Sequence, residues 1–472
     1  MRVWGGTGSP TGAGAHGSGP RSHLLGALAL ALALGCGLAG CGDAAGSAHA
    51  AGASGSAAPA PPPPAGSDGA PALDVAASAG PAGSAAPVLQ ADDWVERALR
   101  ASDPRFAEWL ARAHELRLQI LVTVVEPGAA TWVTHGYRAD AEYFYPASAV
   151  KVFLAVAALR ALDERAGRPI APGTRIRRCR SKRPGCEPPD PDVDDEDSKK
   201  GEGESKPGDD PDAPKKHKKL YVGEELAKLL TFSDNESYNR FWDVVGHREL
   251  NERMAALGFP AVRFHHRMDT PAERSKQTLR VLLSPPRGKG FEVRARDSDL
   301  VLAPTPAPEL SIGTAYLDGR RRVDAPMSFA AKNYAPLADL QRIERALLFP
   351  ERPDSAPLGL DPSEHKLLVD AMTAHLPGSA RMNDHHPLAP GVLEVVPAER
   401  VRYVGKAGRA YGFLLDNAFV EDRTSHRGFF VTATVYANPD GVMNDDDYAY
   451  DELARPILKA VGAAIARAVF GS

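Results

Sequence analysis

The sequence predicts an α+β fold, in which an antiparallel sheet is flanked by helices and joined to a helical subdomain. Strand-like apolar runs occur early in the folded part, at 118–125 and 130–137, and again late, at 413–421 and 428–437. The residues between these sets have helical spacing, and 452–470 is predicted to be a closing helix. Strands at both ends with helices between them are typical of an antiparallel sheet that helices cover.

Residues 1–40 are predicted to be a lipoprotein signal peptide. Arg21 precedes an apolar run at 24–34, which is too short to span a bilayer and is typical of a secretory signal. The sequence LAGC at 38–41 resembles a bacterial lipoprotein cleavage site, in which Cys41 would become the lipidated first residue. An ordinary signal peptide cut nearby is the alternative. We therefore expect an exported bacterial lipoprotein, anchored in a membrane and facing the periplasm or the cell exterior.

A flexible tether is predicted at 41–91, and a folded domain at 92–472. Residues 42–90 are almost entirely Ala, Gly, Ser and Pro, with an unbroken proline run at 61–64. A segment of this composition has too few apolar side chains to build a core, so it behaves as a partly extended linker. The domain begins where tryptophan, leucine and phenylalanine recur at helical spacing after Asp92.

Two insertions are predicted to interrupt the domain. Residues 187–219 form a strongly acidic run that ends in a basic stretch at 215–219, and such a segment stays disordered. A solvated loop is the preferred interpretation, and contact with a wall polymer is the alternative. Residues 276–325 are richer in Val, Leu and Pro, so we expect an ordered flap beside the functional site.

The chain has 4 cysteines. Cys36 would leave with the signal peptide and Cys41 would be lipidated, so Cys179 and Cys186 remain. In an oxidising compartment these two would close a local disulfide, and a pair of free thiols is the alternative. Their spacing is a poor zinc signature.

Charge and histidine spacing argue against two other classes of protein. A formal net charge of −4 disfavours a nucleic-acid partner. The adjacent histidines at 265–266 and 385–386 lack the i,i+4 spacing with which a helix holds an ion. The aspartates at 445–447 are interpreted as a polar turn. We expect a monomer that needs no metal and no cofactor.

Ser148 and Lys151 form an S-x-x-K motif. A hydroxyl and an amine at this spacing share one face of a helix. A partly desolvated lysine there can have a lowered pKa and take the serine proton. Ser148 is therefore the candidate nucleophile, and Lys151 its activator. The same spacing recurs at Ser363 and Lys366 in a polar stretch, whereas an apolar helical pattern follows Ser148.

Two further motifs follow in chain order. The triplet Ser-Asp-Asn at 233–235 is rare by chance, and Lys-Ala-Gly at 406–408 is an example of the commoner Lys-x-Gly pattern. A turn between helices is the alternative interpretation of the first, and an edge-strand lysine that blocks sheet pairing is that of the second. The order of the three motifs and their contexts indicate an acyl-transfer site.

Together the motifs resemble those of the class A β-lactamases and the related penicillin-binding D,D-peptidases. The segment 143–167 is similar to the family's nucleophile helix, and 221–258 to the helices that carry the second motif. The segments 361–381 and 402–438 are similar to the elements before and around the third motif. The fold that this resemblance implies has the layout predicted above.

The resemblance also implies a role for each motif. Ser233 would relay a proton to the leaving nitrogen, and Asn235 would hold the substrate and Lys151. Lys406 would attract a substrate carboxylate. A general acid is needed here because acyl transfer to an amide must protonate the departing amine.

Gly408 and Arg409 would line the substrate site, with the backbone N–H groups of Ser148 and Arg409 as an oxyanion hole. The family usually has Thr or Ser where this chain has Ala407. The absent hydroxyl removes a hydrogen bond to the carboxylate that is worth about 1.5–3 kcal/mol. We therefore expect weaker penicillin binding than in the family.

A deacylation base is implied after the second motif. Asp269, in the sequence Arg267-Met268-Asp269, would stand in for the family's glutamate, and Glu273 falls where the family has an asparagine. Aspartate is one methylene shorter, and a second carboxylate nearby would raise the pKa of one of the two. We expect slow or absent deacylation, and a surface loop without a catalytic role is the alternative.

The sequence therefore predicts a serine hydrolase acylated at Ser148 by a β-lactam or a small peptidoglycan-derived amide, and released by water. The alternatives are a D,D-carboxypeptidase or esterase acting on peptidoglycan peptides, and a catalytically silent wall-binding lipoprotein. The four residues Ser148, Lys151, Ser233 and Asn235 favour an enzyme, because binding alone does not require all of them.

Overall fold

The computed structural model describes most of the chain after the predicted tether, over residues 89–90, 92–179, 219–270, 272–375 and 377–471. The side chains of residues 272 and 273 lie outside this description, as do the predicted signal peptide and almost all of the acidic insertion. Contacts divide the chain into Met1–Asp68 and Gly69–Ser472, and every described residue belongs to the second unit.

The described helices are numbered in chain order: α1 (Trp94–Ser102), α2 (Phe106–Ala111), α3 (Lys151–Ala166), α4 (Val222–Thr231), α5 (Asn235–Val245), α6 (His247–Ala256), α7 (Ala272–Ser275), α8 (Leu337–Leu348), α9 (Pro362–Met372), α10 (Ala380–His385), α11 (Ala389–Val392) and α12 (Arg455–Phe470). In this part of the chain, no helix has the length and apolarity that a membrane span needs.

The described strands are β1 (Leu89–Gln90), β2 (Gln119–Val125), β3 (Val133–Tyr137), β4 (Arg175–Cys179), β5 (Arg280–Ser284), β6 (Phe291–Val293), β7 (Ser311–Ile312), β8 (Ala315–Asp318), β9 (Arg321–Val323), β10 (Met327–Ser328), β11 (Val401–Gly405), β12 (Gly408–Ala410), β13 (Phe413–Asp422), β14 (Gly428–Tyr436) and β15 (Val442–Met443).

The main sheet has the order β1-β3-β2-β14-β13-β11, and β12 also pairs with β13. All of its pairs are antiparallel except β1 with β3. Strands from both ends of the domain therefore meet in its centre, where β2 pairs with β14. This arrangement confirms the predicted α+β class.

Both faces of the sheet are covered. On one face, Leu99 of α1 and Val461 and Ile465 of α12 pack against the sheet residues Val431 and Ala433. The other face packs against α8, which in turn contacts α3, in a second apolar core. Strands β13 and β14 are nearly continuous runs of buried residues because helices enclose them on both sides.

Helix α3 is the central helix of the second core. Its residues from Lys151 to Leu159 are all buried, and a helix with apolar residues on every side is stable only when protein surrounds it. The helix ends at Gly167, whose φ of 67° is the left-handed conformation that glycine adopts without a Cβ clash. Enclosure on all sides makes α3 a rigid base for the motif at its N-terminus.

The structure adds two details to the predicted elements. Leu89 and Gln90, assigned to the tether from sequence, pair with Thr134 and His135 of β3. Ser148 lies in a 3-10 turn, Ala147–Val150, and not in the α-helix, which begins at Lys151. The preceding proline favours a turn at this point, and the residue before a helix often adopts tighter winding.

The insertion at 276–325 is ordered in short strands. Strands β5 and β6 extend from β4 in a three-stranded sheet, and β8 and β9 form another with β15. These small sheets bring the insertion against both the helical subdomain and the loop that follows β14.

Candidate active site

Ser148 lies on the turn that leads into α3. Ala147 has a φ of 45°, an uncommon conformation for a residue with a Cβ and one that is enriched at functional sites. The backbone N–H of Lys151 donates to the carbonyl of Ser148 and closes the turn. Ser148 lines two adjoining cavities, of about 1130 and 910 Å³.

Gly408 brings the third motif against this turn. A Cβ at this position would lie 2.3 Å from the carbonyl oxygen of Pro146 and 3.1 Å from the backbone nitrogen of Ser148. Only glycine permits this approach. Because Arg409 follows directly and lines both cavities with Ser148, its backbone is close to the nucleophile, as the predicted oxyanion hole requires.

Lys151 is fully buried and points at the second motif. Its Nζ donates to Asn235 Oδ1 at 2.6 Å, to Ser233 Oγ at 3.3 Å and to the backbone carbonyl of Ser233. Burial lowers the pKa of Lys151 well below its ordinary value, and the nearby charge of Lys406 lowers it further. Asp234 and Asp269 act in the opposite direction. Lys151 is thus a buried amine with a reduced affinity for its proton.

Lys406 approaches the same serine from the sheet. Its Nζ donates to Ser233 Oγ at 3.0 Å and to the carbonyl of Ala407 at 2.9 Å. Burial lowers the pKa of Lys406 to about 7, against a smaller opposing effect of Asp416. Lys406 is therefore not the exposed edge-strand lysine that was the alternative interpretation.

The second motif forms a tight turn whose geometry exposes its polar atoms to the site. Ser233 has a φ of 58°, and Asp234 caps α5 by accepting from the backbone N–H of Ser237 at 2.6 Å. Asn235 is the first residue of α5. The motif is thus both a helix-capping turn and a site element, since the turn aims Ser233 and Asn235 at Lys151.

Asp269 joins this group from the loop after α6. It accepts a hydrogen bond from Asn235 Nδ2 at 2.7 Å, so the sequence-predicted residues Asn235 and Asp269 are in contact. The loop is tied to α5 because Arg267 forms a buried ion pair with Asp243 at 2.6 Å. The Asn239 side chain also donates to the backbone carbonyl of Met268 and accepts from its backbone N–H. The side chain of Glu273 lies outside the described residues.

The two cavities that Ser148 lines present different chemistry. The larger cavity is lined by Ser233, Lys406, Phe232 and His386 among others. The smaller cavity contains Asn235 and Asp269, with Tyr145, Tyr411 and Lys332 on its wall. The Nζ of Lys332 lies 4.7 Å from the centre of the Tyr411 ring and 3.0 Å from its hydroxyl.

The sequence interpretation missed the residues behind Lys406. Asp416 is fully buried and accepts from Tyr403 Oη at 2.7 Å and from His386 Nδ1 at 3.1 Å. His386 had been considered only as part of a metal-binding pair. A charged residue within the apolar strand sequence FLLDNAFVED was the available signal, because a buried carboxylate needs partners.

Of the cysteines for which predictions were made, the structure describes Cys179 alone. Cys179 ends β4 and is disulfide-bonded. Its predicted partner Cys186 and the predicted lipidation site Cys41 lie outside the described residues. The Cys179–Cys186 disulfide and the lipidation of Cys41 therefore stay predictions.

A model of the family described as "Beta-lactamase enzyme family" matches residues 190–289. This match agrees with the resemblance that the motifs indicated, and it spans the second motif and Asp269. No curated protein sequence matches the chain.

Several solved structures are similar to the chain. A β-lactamase from Burkholderia vietnamiensis is 15% identical, with 80% of this chain and 96% of that chain covered and a TM-score of 0.42. The structure of PBP-A is 13% identical, with 81% and 97% covered and a TM-score of 0.42. A β-lactamase from Streptomyces albus G is 16% identical, with 79% and 99% covered and a TM-score of 0.43.

Proposed function

We propose that the protein is an active-site serine hydrolase that is acylated at Ser148 by a β-lactam or a related amide and deacylated by water. The observation that carries this proposal is the position of Ser233 Oγ, which lies 3.3 Å from the Nζ of Lys151 and 3.0 Å from that of Lys406. A hydroxyl held between two amines with lowered pKa can accept a proton from one side and pass it to the other.

Acylation begins with proton transfer from Ser148. Lys151 in its neutral form accepts the proton, and Ser148 Oγ bonds to the carbonyl carbon of the substrate. Burial makes this neutral form accessible because it lowers the pKa of the lysine. When the C–N bond breaks, the proton passes from Lys151 through Ser233 Oγ to the departing nitrogen.

The developing oxyanion needs hydrogen-bond donors that are already in place. The backbone N–H groups of Ser148 and Arg409 are assigned to this role. The close packing of Gly408 on the Ser148 turn fixes the distance between the two segments. Preorganised donors of this kind commonly contribute the largest share of the rate enhancement.

Lys406 would orient the substrate through a carboxylate. With a pKa of about 7, it carries its full charge only in mildly acidic solution. Ala407 supplies no hydroxyl to share that carboxylate. Recognition of a penicillin carboxylate is therefore expected to be weaker than in a site with two donors.

A D,D-carboxypeptidase or esterase is the second candidate. The observation that favours it is the 2.7 Å hydrogen bond from Asn235 to Asp269. The Asp269 oxygen that accepts this bond is engaged by the protein and is less available to a hydrolytic water. Acylation by penicillin followed by slow release is the behaviour of a penicillin-binding peptidase rather than of a β-lactamase.

Labelling by a fluorescent penicillin tests the proposal, with the protein separated on a denaturing gel. Lys151→Met is expected to slow labelling by about 100-fold or more, because loss of a general base costs at least this much. Lys366→Met is the matched control, since it removes the lysine of the second S-x-x-K sequence from an exposed helix face. Equal labelling of wild type and Lys151→Met would refute the assigned role.

A further inference from the structure

A histidine from another segment holds the end of the helix that leads into the second motif. Thr231 is the last residue of α4, and Ser233 follows it after one residue. The last carbonyls of a helix have no intrahelical N–H to accept from, so another donor must satisfy them. His375 Nε2 lies 2.8 Å from the carbonyl oxygen of Thr231, and the histidine is buried. His375 therefore caps the C-terminus of α4 directly before the motif.

The bond to Thr231 determines which nitrogen of the His375 ring carries hydrogen. A carbonyl oxygen only accepts, so Nε2 is the donor. Burial lowers the pKa of His375 below its ordinary value, and the bond to Thr231 acts in the opposite direction. The nearby charges of Arg381 and Lys406 lower this pKa further, as does His386. The ring is thus a neutral donor at neutral pH, and it adds no further positive charge near Lys406.

A second hydrogen bond joins Thr231 to the same segment. Its Oγ1 donates at 2.7 Å to the carbonyl of Ala371, in the last turn of α9. Helix α9 also packs against α4, and His375 follows shortly after α9 ends. The segment 371–375 therefore holds both the side chain and the backbone carbonyl of Thr231.

The turn at Ser233 depends on contacts of this kind. Its φ of 58° is a left-handed conformation that glycine usually supplies at helix ends, and other residues keep it only where their surroundings determine it. Within the turn, the backbone N–H groups of Phe232 and Asp234 donate to the carbonyl of Lys228. These bonds shape the turn but move with α4, so contacts to a separate element are needed to fix its place.

Phe232, between Thr231 and Ser233, contacts the same region. Its ring meets that of His375 edge-on, with the centroids 6.4 Å apart. The guanidinium carbon of Arg381 lies 5.3 Å from the centre of the Phe232 ring. The phenylalanine is half-exposed, and these two contacts restrict the rotamers that an exposed side chain would otherwise sample.

His375 is in turn connected to the main sheet. Its ring stacks on that of His385, with the centroids 4.8 Å apart, and lies 5.9 Å from the ring of His386. His386 is joined to Asp416 of β13 at 3.1 Å. The next residue of β13 accepts from the backbone N–H of Lys406. A continuous series of contacts therefore links the second motif to the strand that positions the third.

We propose that His375 is a positioning residue that fixes Ser233 through the Thr231 carbonyl. Among the described residues, Thr231 and Ser233 line the larger cavity, whereas His375 lines neither cavity. The Ser233 hydroxyl lies 3.3 and 3.0 Å from the Nζ atoms of Lys151 and Lys406, so a small shift of the turn lengthens at least one of these contacts. This inference rests on the proposed function, since it requires Ser233 to pass a proton during acylation.

The test uses the full-length protein, benzylpenicillin and two substitutions that differ in reach. In His375→Gln the side-chain amide nitrogen can occupy the position of Nε2 and donate to the Thr231 carbonyl. In His375→Asn the amide stops at the position of Nδ1 and falls short of that carbonyl. His365→Asn is the matched control, because His365 Nδ1 also lies 3.3 Å from a backbone carbonyl, that of Leu347 on α8.

The acylation rate is measured from the growth of the penicillin adduct by intact mass, and folding by circular dichroism. His375→Asn is expected to slow acylation by about 10-fold or more, because a misplaced proton-transfer group loses much of its effect. His375→Gln should stay within about 3-fold of wild type, and His365→Asn should match wild type. Rescue by the longer amide is the result that a hydrogen bond to Thr231 predicts.

The same substitution in a Ser233→Ala background separates positioning from a general structural effect. His375→Asn should cause no further loss there, because the hydroxyl through which it acts is absent. A loss of equal size in both backgrounds would show that the effect does not pass through Ser233, and it would overturn the inference.

Three other results are decisive. Wild-type acylation by a folded His375→Asn overturns the inference alone. A loss of about 10-fold or more in His375→Gln also overturns it, because this variant keeps the donor, and this comparison holds even where His375→Asn does not fold. Absence of any Ser148 adduct in folded wild type overturns the proposed function, and this inference with it.

Discussion

Lys151 and Lys406 share one hydroxyl, that of Ser233, although Lys151 begins α3 and Lys406 directly follows β11. The Nζ–Oγ distances are 3.3 and 3.0 Å. Two ammonium groups around one hydroxyl repel each other, and burial removes the water that would screen them. This relationship is the physical reason why at least one of the two amines is neutral in a working site.

The pH dependence of stability follows from the Lys406 amine. Its pKa is about 7 in the folded protein and about 10.5 when unfolded, so the unfolded chain binds more protons between these values. Stability from this group therefore rises with pH through that window. Below pH 7 both states are protonated, and the full cost of a buried charge is present.

Lys406→Met is expected to raise the melting temperature most below pH 7 and progressively less towards pH 10. Thermal unfolding followed by circular dichroism at several pH values measures this, with Lys366→Met as an exposed control. A stabilisation that did not change between pH 6 and pH 9 would contradict the lowered pKa. The same variant should also be acylated poorly by penicillin, so its melting temperature should rise while its activity falls.

Gly408→Ala is expected to reduce penicillin acylation by about 100-fold or more. The added methyl would lie 2.3 Å from the Pro146 carbonyl, so β12 must move away from the Ser148 turn, and small misplacements of reacting groups are costly. Gly173→Ala is the control, because no atom lies within 4 Å of its Cβ position. Acylation rates in stopped-flow assays give the comparison, and equal rates in both variants would show that the packing is not needed.

Asp269→Asn is expected to leave the lifetime of the penicillin adduct nearly unchanged. The carboxylate is engaged by Asn235 Nδ2 and is shorter than a glutamate, so slow deacylation is predicted with or without it. The lifetime is measured from the decay of the adduct by mass spectrometry. Rapid turnover of penicillin that Asp269→Asn abolishes would prove this prediction wrong.

Lipidation at Cys41 is a separate proposal, because the residue lies outside the described structure. Cells given labelled palmitate should incorporate it into wild type and not into Cys41→Ser. Cys36→Ser, within the predicted signal peptide, is the control and should still be labelled. Labelling that persisted in Cys41→Ser would place the modification on another residue, and no labelling of wild type would contradict the lipid anchor.

The sequence predicted the fold class and the members of the site that lie in short motifs. Spacing along the chain was sufficient to place Ser148 and Lys151 in successive turns at the start of one helical segment. The pairing of Asp416 with His386 was not predictable in the same way. These residues are 30 positions apart in sequence, and they meet because the segment after α10 packs against β13, where Leu388 N–H also donates to Asp416.

The 3-10 turn at Ser148 was also missed, although the preceding proline marks a turn there. A contact distant in sequence accompanies the turn, since Gly408 of β12 packs against it. Helical spacing predicted the correct residues but not this tighter winding. The apolar pattern of 276–325 indicated order, whereas the pairing of its strands with β4 and β15 depends on contacts distant in sequence.

The most direct measurement for the central claim is the intact mass of the protein after incubation with benzylpenicillin. Wild type and Ser363→Ala, which removes the serine of the second S-x-x-K sequence, should each gain the mass of one penicillin. Ser148→Ala should gain none. An adduct that persists in Ser148→Ala, or no adduct and no loss of penicillin with wild type, would contradict the assignment of Ser148 as the nucleophile.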